Sequence, residues 1–167
     1  SITLREEIAP DGFVKATDIT FTIQNTGDVQ KVTMIDKVVK MSKVDVGGKE
    51  IEGAKIQVID KDGNIVDEWT STKEEHTIKN LIENETYILH EEVSAEGYVK
   101  ATDITFKVTE DKETQHEKLI DKIVTMSKED ISGKEIEGAK IQVIDKEGNI
   151  VDEWTSGKEK HNIKNLV

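Results

Sequence analysis

The sequence predicts an all-β protein assembled from tandem small β-sandwich units, and three observations carry that prediction. First, the chain repeats itself with a period of 85 residues: Lys49–Ser71 returns at Lys134–Ser156 with one change, Asp62 to Glu147, and Val14–Phe21 returns at Val99–Phe106. Second, runs of four to eight residues rich in Val, Ile and Thr are separated by Gly, Asn and Asp, the texture of short strands joined by turns. Third, no segment carries apolar residues at helical spacing.

Taking the strands in order, Val38–Val44 is apolar with alternating polar positions. Ala54-Lys-Ile56-Gln-Val58 alternates strictly, Lys61-Asp62-Gly63-Asn64 is a turn signal, and Ile65–Thr70 reads as the return strand of a hairpin. The same hairpin recurs at Ala139–Thr155. Further strands are expected at Thr77–Leu81, Thr86–Glu91, Ile104–Thr109 and Lys118–Asp121, about seven per unit, the number expected of a small sandwich.

The register pairs Ser1 with Thr86 and Val167 with Ile82, so the sequence covers two periods less Glu83, Asn84 and Glu85. Residues 1–36 correspond to the C-terminal half of a repeat, 37–121 to a complete repeat, and 122–167 to an N-terminal half complementary to 1–36. No Pro-, Gly- or Ser-rich linker separates them. A stiff array is expected, one unit's last strand running almost directly into the next unit's first.

Composition narrows the function classes. Net charge is −12, which opposes unassisted binding to nucleic acid or to an anionic membrane. Cysteine is absent, so disulfides cannot staple these small units. No apolar run approaches the length needed to span a bilayer, and no membrane insertion is expected of this segment. The four His residues, 76, 90, 116 and 161, lack metal-ligand spacing and read as surface residues; no metal or cofactor is expected. Trp69 and Trp154, each on a strand, read as core. Acidic stretches such as Thr109–Glu113 lack the spacing of a calcium loop and read as turns. Neither a phosphate-binding glycine motif nor a nucleophile triad is present.

Strand parity singles out one constellation, because side chains two apart share a face. Val39, Met41 and Lys43 share the inward face of one strand, Tyr87, Leu89 and Glu91 that of another, and Leu119 and Asp121 that of the closing strand, with Glu117 still facing solvent. Each apolar stripe thus ends in an ionisable group. The register repeats the pattern as Lys128, as Ile2, Leu4 and Glu6, and as Val32, Met34 and Asp36. On residues alone these are strand-end charges reaching solvent, a buried ion cluster, or a reactive site. Glu7 and Glu92 fall on the outward face.

The run Leu89-His-Glu-Glu-Val-Ser-Ala-Glu-Gly-Tyr98 and its counterpart Leu4-Arg-Glu-Glu-Ile-Ala-Pro-Asp-Gly-Phe13 resemble the E-x-x-A-P-x-G-Y signature of Cna B-type, prealbumin-like domains of Gram-positive adhesins and pilins. Met41-Ser-Lys43-Val-Asp45, Gly48-Lys-Glu-Ile-Glu-Gly-Ala54 and Val32-Thr-Met-Ile-Asp36 resemble that family's opening and closing strands; Ser94-Ala95 departs from the usual Ala-Pro. The resemblance implies an Ig-like, prealbumin-like sandwich with an intramolecular isopeptide bond between Lys43 and Asp121, assisted by Glu91 as proton-shuttling acid. The cut register separates Lys128 from Glu6 and Asp36, so either a second cross-link between Lys128 and Asp36, with Glu6 as its acid, joins neighbouring chains head to tail, or the sequence is a window on a longer repeat protein. The implied role is a fibre or stalk repeat, secreted and held at the surface or cell wall of a Gram-positive bacterium, with copies of itself as partner. Catalysis would be a single self-modification and not turnover on an external substrate. The competing class is an adhesive module gripping a host matrix protein or glycan; with 4% aromatic residues, no large aromatic patch favours it.

Overall fold

The computed structural model describes all 167 residues and contains thirteen strands and no helix. Residues 1–36 contribute β1 (Ile2–Leu4) and β2 (Ile19–Phe21), paired antiparallel with Ile2 opposite Phe21. The central stretch holds seven: β3 (Val39–Val44), β4 (Lys55–Ile59), β5 (Ile65–Thr70), β6 (His76–Thr77), β7 (Thr86–Val93), β8 (Ile104–Lys107) and β9 (Gln115–Ile120). Beyond it lie β10 (Thr125–Met126), β11 (Lys140–Ile144), β12 (Ile150–Thr155) and β13 (His161–Asn162), arranged as the pairs β10-β13 and β11-β12.

The seven central strands form two sheets, β6-β3-β9 and β5-β4-β7-β8. Their facing sides supply the core: Val39 and Met41 from β3, Ile56 and Val58 from β4, Tyr87 and Leu89 from β7, Phe106 from β8 and Leu119 from β9. Alternation in the sequence becomes alternation of burial, since successive strand side chains point to opposite faces. Ala54, Ile56 and Val58 are buried, while Lys55 and Gln57 between them are half-exposed. The β4–β5 hairpin closes through Asp60, whose Oδ1 accepts the amides of Asp62 (2.9 Å) and Asn64 (2.8 Å). Gly63 takes the positive φ of 84° that the turn requires. Asp145 and Gly148 repeat the device in the β11–β12 hairpin.

Three expectations about strands need correction. The segment expected as a strand at Thr77–Leu81 is a strand only at His76–Thr77, with the Ile78 amide still donating to the Val39 carbonyl at 2.9 Å, because the chain then turns through Asn80 at φ 61°. The closing strand starts at Gln115 and not Lys118, and Glu117 on it is half-buried, accepting from Gln115 Nε2 at 2.9 Å. Finally, β3 and β9 pair in parallel, with Lys43 opposite Leu119. Sequence texture suggested antiparallel strands throughout, but the first and last strands of a unit are joined by the whole unit between them, so no tight turn dictates their sense.

The two flanking stretches are open where the central one is closed. Every buried residue except Val14, Ala16 and Ser156 lies between Lys37 and Asp121. Ile141 and Val143, register partners of fully buried Ile56 and Val58, are half-exposed. Val32, Met34 and Asp36 keep the alternating burial of a strand, yet residues 30–35, the counterparts of β9, belong to no strand, because no strand corresponding to β3 lies beside them.

Candidate functional site

Lys43, Glu91 and Asp121 converge between the two sheets of the central unit. Lys43 is the fifth residue of β3, directed inward by the parity that also buries Val39 and Met41. Asp121 follows β9, held beside β3 by its amide, which donates to the Val44 carbonyl at 2.9 Å. Glu91 reaches across from β7 in the opposite sheet, where it pairs with Ile56 of β4. The site therefore ties the first strand of the unit to the residue after its last, with an acid supplied from the other sheet.

All three side chains are sealed from solvent, none more than 1% exposed. Lys43 Nζ contacts Asp121 Oδ1 and lies 3.4 Å from Glu91 Oε1. Yet Lys43 Nζ, Glu91 Oε1 and both Asp121 oxygens have no hydrogen-bond partner. Burying an amine and two carboxyls with these atoms unsatisfied is costly, and condensing the amine with one carboxyl would relieve that cost. Glu91 Oε2 is anchored, accepting the Ala101 amide at 2.6 Å. The Glu91 carboxyl is pushed up to about 7, chiefly by burial and also by Asp121, against the downward pull of the Ala101 amide and Lys43. Glu91 is thus poised near neutrality, where a proton shuttle is most effective.

The flanking stretches hold the same residues in two separated halves. Glu6 Oε2 accepts the Ala16 amide at 2.8 Å, repeating the anchorage of Glu91 by Ala101. Asp36 has its carboxyl raised by burial and by the adjacent Glu6 carboxyl, so this acid pair is assembled without a lysine. Lys128 is exposed and makes no ion pair, although its carbonyl accepts the Ile136 amide at 2.7 Å, as the Lys43 carbonyl accepts Ile51 at 2.7 Å. The structure brings Lys43, Glu91 and Asp121 together, and it does not bring Lys128 to Glu6 and Asp36.

Other sequence expectations meet mixed outcomes. Glu92 points outward and accepts from the His90 ring, and Glu7 is exposed. Trp69 packs against the core but is only half-buried, because its ring stacks on His76 at 3.8 Å between centroids, and Trp154 stacks on His161 at the same distance. His76 and His161 are therefore half-buried partners of tryptophan, each held to an aspartate, Asp67 at 2.8 Å and Asp152 at 2.7 Å. The repetition of Asp, Trp and His in both periods was the available signal. Two further charges are buried: Lys37 stands in phase with Val39, Met41 and Lys43, so parity carried the signal, whereas Glu83, in Leu81-Ile-Glu-Asn-Glu85, lies outside any strand and had none.

Residues 37–123, just over half of the chain, match the family described as SpaA, prealbumin-like fold domain. No curated protein matches the sequence. Among solved structures, the chain is similar to the Bacillus anthracis TIE protein, with 18% identity over 98% of this chain and 34% of that one, at a TM-score of 0.42. It is also similar to a streptococcal ancillary pilin, with 17% identity over 98% of this chain and 62% of that one (TM-score 0.43). The C-terminal domain of the shaft pilin SpaA from Lactobacillus rhamnosus GG aligns at 19% identity over 51% of this chain and 95% of that one (TM-score 0.38). The chain spans about a third of the TIE protein's length. With its all-β, two-sheet central unit and the match across residues 37–123, the chain belongs to the SpaA prealbumin-like domain family.

Proposed function

We propose that this chain is a segment of a load-bearing stalk or fibre shaft at the surface of a Gram-positive bacterium, each unit locked by a self-formed isopeptide bond. The observation that carries the proposal is the sealed Lys43, Glu91 and Asp121 cluster joining β3 to the end of β9. Lys43 Nζ in its neutral form attacks Cγ of a protonated Asp121 carboxyl. Glu91, protonated, donates a hydrogen bond to the carbonyl oxygen, takes up the amine proton and delivers one to the departing hydroxyl. One C–N bond forms, one C–O bond breaks and one water leaves; each enzyme-like event occurs once. Proximity supplies much of the acceleration, because folding itself brings amine and carboxyl into contact.

The two half-sites extend the proposal. Glu6 with Asp36, and Lys128, are complementary parts of the same cluster, to be completed by an equivalent half from another copy or from more of the same polypeptide. A completed site would continue the array covalently, head to tail.

Intact mass tests the first claim: the purified chain should weigh about 18 Da less than its sequence per bond formed, since one water is lost in each acyl transfer. Digestion should yield a branched peptide joining Lys43 to Asp121. A full-length mass without that peptide overturns the cross-link. For the half-sites, a denaturing gel should show a ladder of multiples that Lys128→Arg abolishes while the Lys43–Asp121 peptide persists. A wild-type chain running only as monomer overturns joining between copies.

A further inference from the structure

The passage from residues 1–36 into the central unit is a built interface. The Val14 amide donates to the Lys37 carbonyl at 2.8 Å, the Lys15 amide to Leu81 at 2.9 Å, and the Glu83 amide to Lys15 at 3.0 Å, making a short parallel bridge between Lys15 and Ile82. Val14 enters the central core cluster. One period later the arrangement returns, with Val99 donating to Lys122 at 2.8 Å and Lys100 to Leu166 at 3.2 Å. Two independent occurrences of one contact show that the repeat encodes it.

Charged groups are buried at this crossing. Glu83 is 3% exposed, its Oε2 accepting the Thr17 amide at 3.1 Å and its Oε1 accepting Lys112 Nζ at 2.7 Å. Lys37 is 4% exposed, with Nζ donating to the Thr109 carbonyl at 3.1 Å and to Thr109 Oγ1 at 2.7 Å. A buried carboxylate is retained where it is fully paired, and pairing of this kind specifies one geometry where apolar contact alone allows several. Consecutive amides divide between two units: Ala16 donates to Glu6 of its own stretch, and Thr17 donates to Glu83 of the next.

We infer that Glu83 is the docking residue that fixes each unit at a set angle to the one before it, by seizing the Thr17 amide and Lys112 together. The partner surface is the Val14–Thr17 segment of the preceding unit, and the lock stands apart from any covalent cross-link. Apolar contacts through Val14 bring the units together; Glu83 removes their freedom to pivot. Loss of Glu83 should leave the units folded and let them swing.

The chain has no cysteine, so spin labels can be placed cleanly at two introduced sites, Asp28→Cys and Asp62→Cys, both exposed. Pulsed electron-electron resonance on the full chain should give one narrow distance distribution. With Glu83→Ala added, its width should at least double, and Glu83→Gln, which still accepts from Thr17 but loses the Lys112 pair, should fall between. An unchanged width in Glu83→Ala overturns the assignment. If Glu83→Ala does not fold, Lys112→Ala decides, since Lys112 is 41% exposed at its side chain and its loss spares the core; broadening there supports the lock and an unchanged width refutes it. The branched Lys43–Asp121 peptide, measured in the same samples, reports the cross-link separately.

Discussion

Replacing Glu91 by Gln separates the cross-link from the fold. The substitution preserves shape and leaves an oxygen to accept the Ala101 amide, now made at 2.6 Å, while removing the proton that the chemistry needs. The variant should fold into the same two sheets with Lys43 and Asp121 unjoined, and should weigh about 17 Da more than the cross-linked wild type, about 18 Da for the water retained by the missing acyl transfer less about 1 Da for the change of Glu to Gln. Its stability can be worked out from the closed loop. Lys43 and Asp121 bound a loop of roughly 80 residues, and cross-linking a loop of that size removes about 4.5 kcal/mol of conformational freedom from the unfolded chain at 25 °C. For a unit of this length that corresponds to a drop in Tm of roughly 20–35 °C. Chemical denaturation followed at the central unit, with mass spectrometry on the same preparations, makes the comparison. If Glu91→Gln lacks the bond yet loses less than about 1 kcal/mol, the loop-closure reasoning fails. If it carries the bond at the wild-type level, Glu91 is not the acid.

Other outcomes follow from the same geometry. Formation of the bond should slow as pH rises above about 7, because only protonated Glu91 is competent and its protonated fraction falls about tenfold per unit beyond that point. Transfer of the proton within the Lys43–Asp121 pair consumes none from solvent, so Glu91 governs the alkaline limb; a pulse-labelled chain released into buffers of pH 5 to 9 and scored by gel mobility tests this, and a rate that climbs through pH 8 contradicts it. Leu89→Ala removes a fully buried side chain two residues before Glu91 and should cost about 2–5 kcal/mol in denaturant unfolding, with slower cross-linking as the strand loosens. A wild-type denaturation midpoint would show that β7 is not held as its burial implies.

Much of the central unit was legible because burial follows parity. The alternation in Val39–Lys43, Ala54–Val58 and Tyr87–Glu91 requires only that one face be covered, and the structure covers it. Lys43 and Glu91, at the ends of two of those stripes, and Asp121, in phase with Leu119, were legible for the same reason: a charged residue in phase with an apolar stripe must go where the stripe goes. What parity could not supply is pairing between distant segments. The parallel partnership of β3 and β9, and the turn at Asn80 that ends β6 early, depend on which backbone lies alongside, and neither leaves a mark in local sequence. Glu83 was invisible on similar grounds. It lies in Leu81-Ile-Glu-Asn-Glu85, a polar bend by composition, and is buried by a segment 66 residues away. Trp69 illustrates a competition: a strand tryptophan belongs in the core, but His76 offers a flat ring at 3.8 Å, and the indole settles between the two.

The parallel sense of β3 and β9 decides what the proposed cross-link would do mechanically. Parallel neighbours enter and leave a unit at opposite ends, so tension applied along the array shears the two strands past each other across the six residue pairs from Val39 and Gln115 to Val44 and Ile120. Sheared hydrogen bonds must break together, which resists force better than unzipping, yet none of them is permanent. An amide between Lys43 and Asp121 would sit at the exit end of that ladder. Force would then pass along β3 only to Lys43, cross one covalent bond, and leave through Asp121 into Lys122 and the next unit. The roughly 80 residues between, worth about 260 Å of extended chain at ~3.4 Å each, would never be drawn out. In series with that bond stands the junction, which the backbone crosses from Asp36 to Lys37 and whose angle is held by hydrogen bonds of Val14, Lys15 and Thr17, the last to Glu83. With the proposed bonds in place, such a shaft would yield first in the angle between units and last in length, because the angle rests on hydrogen bonds while each unit's length would be held by an amide.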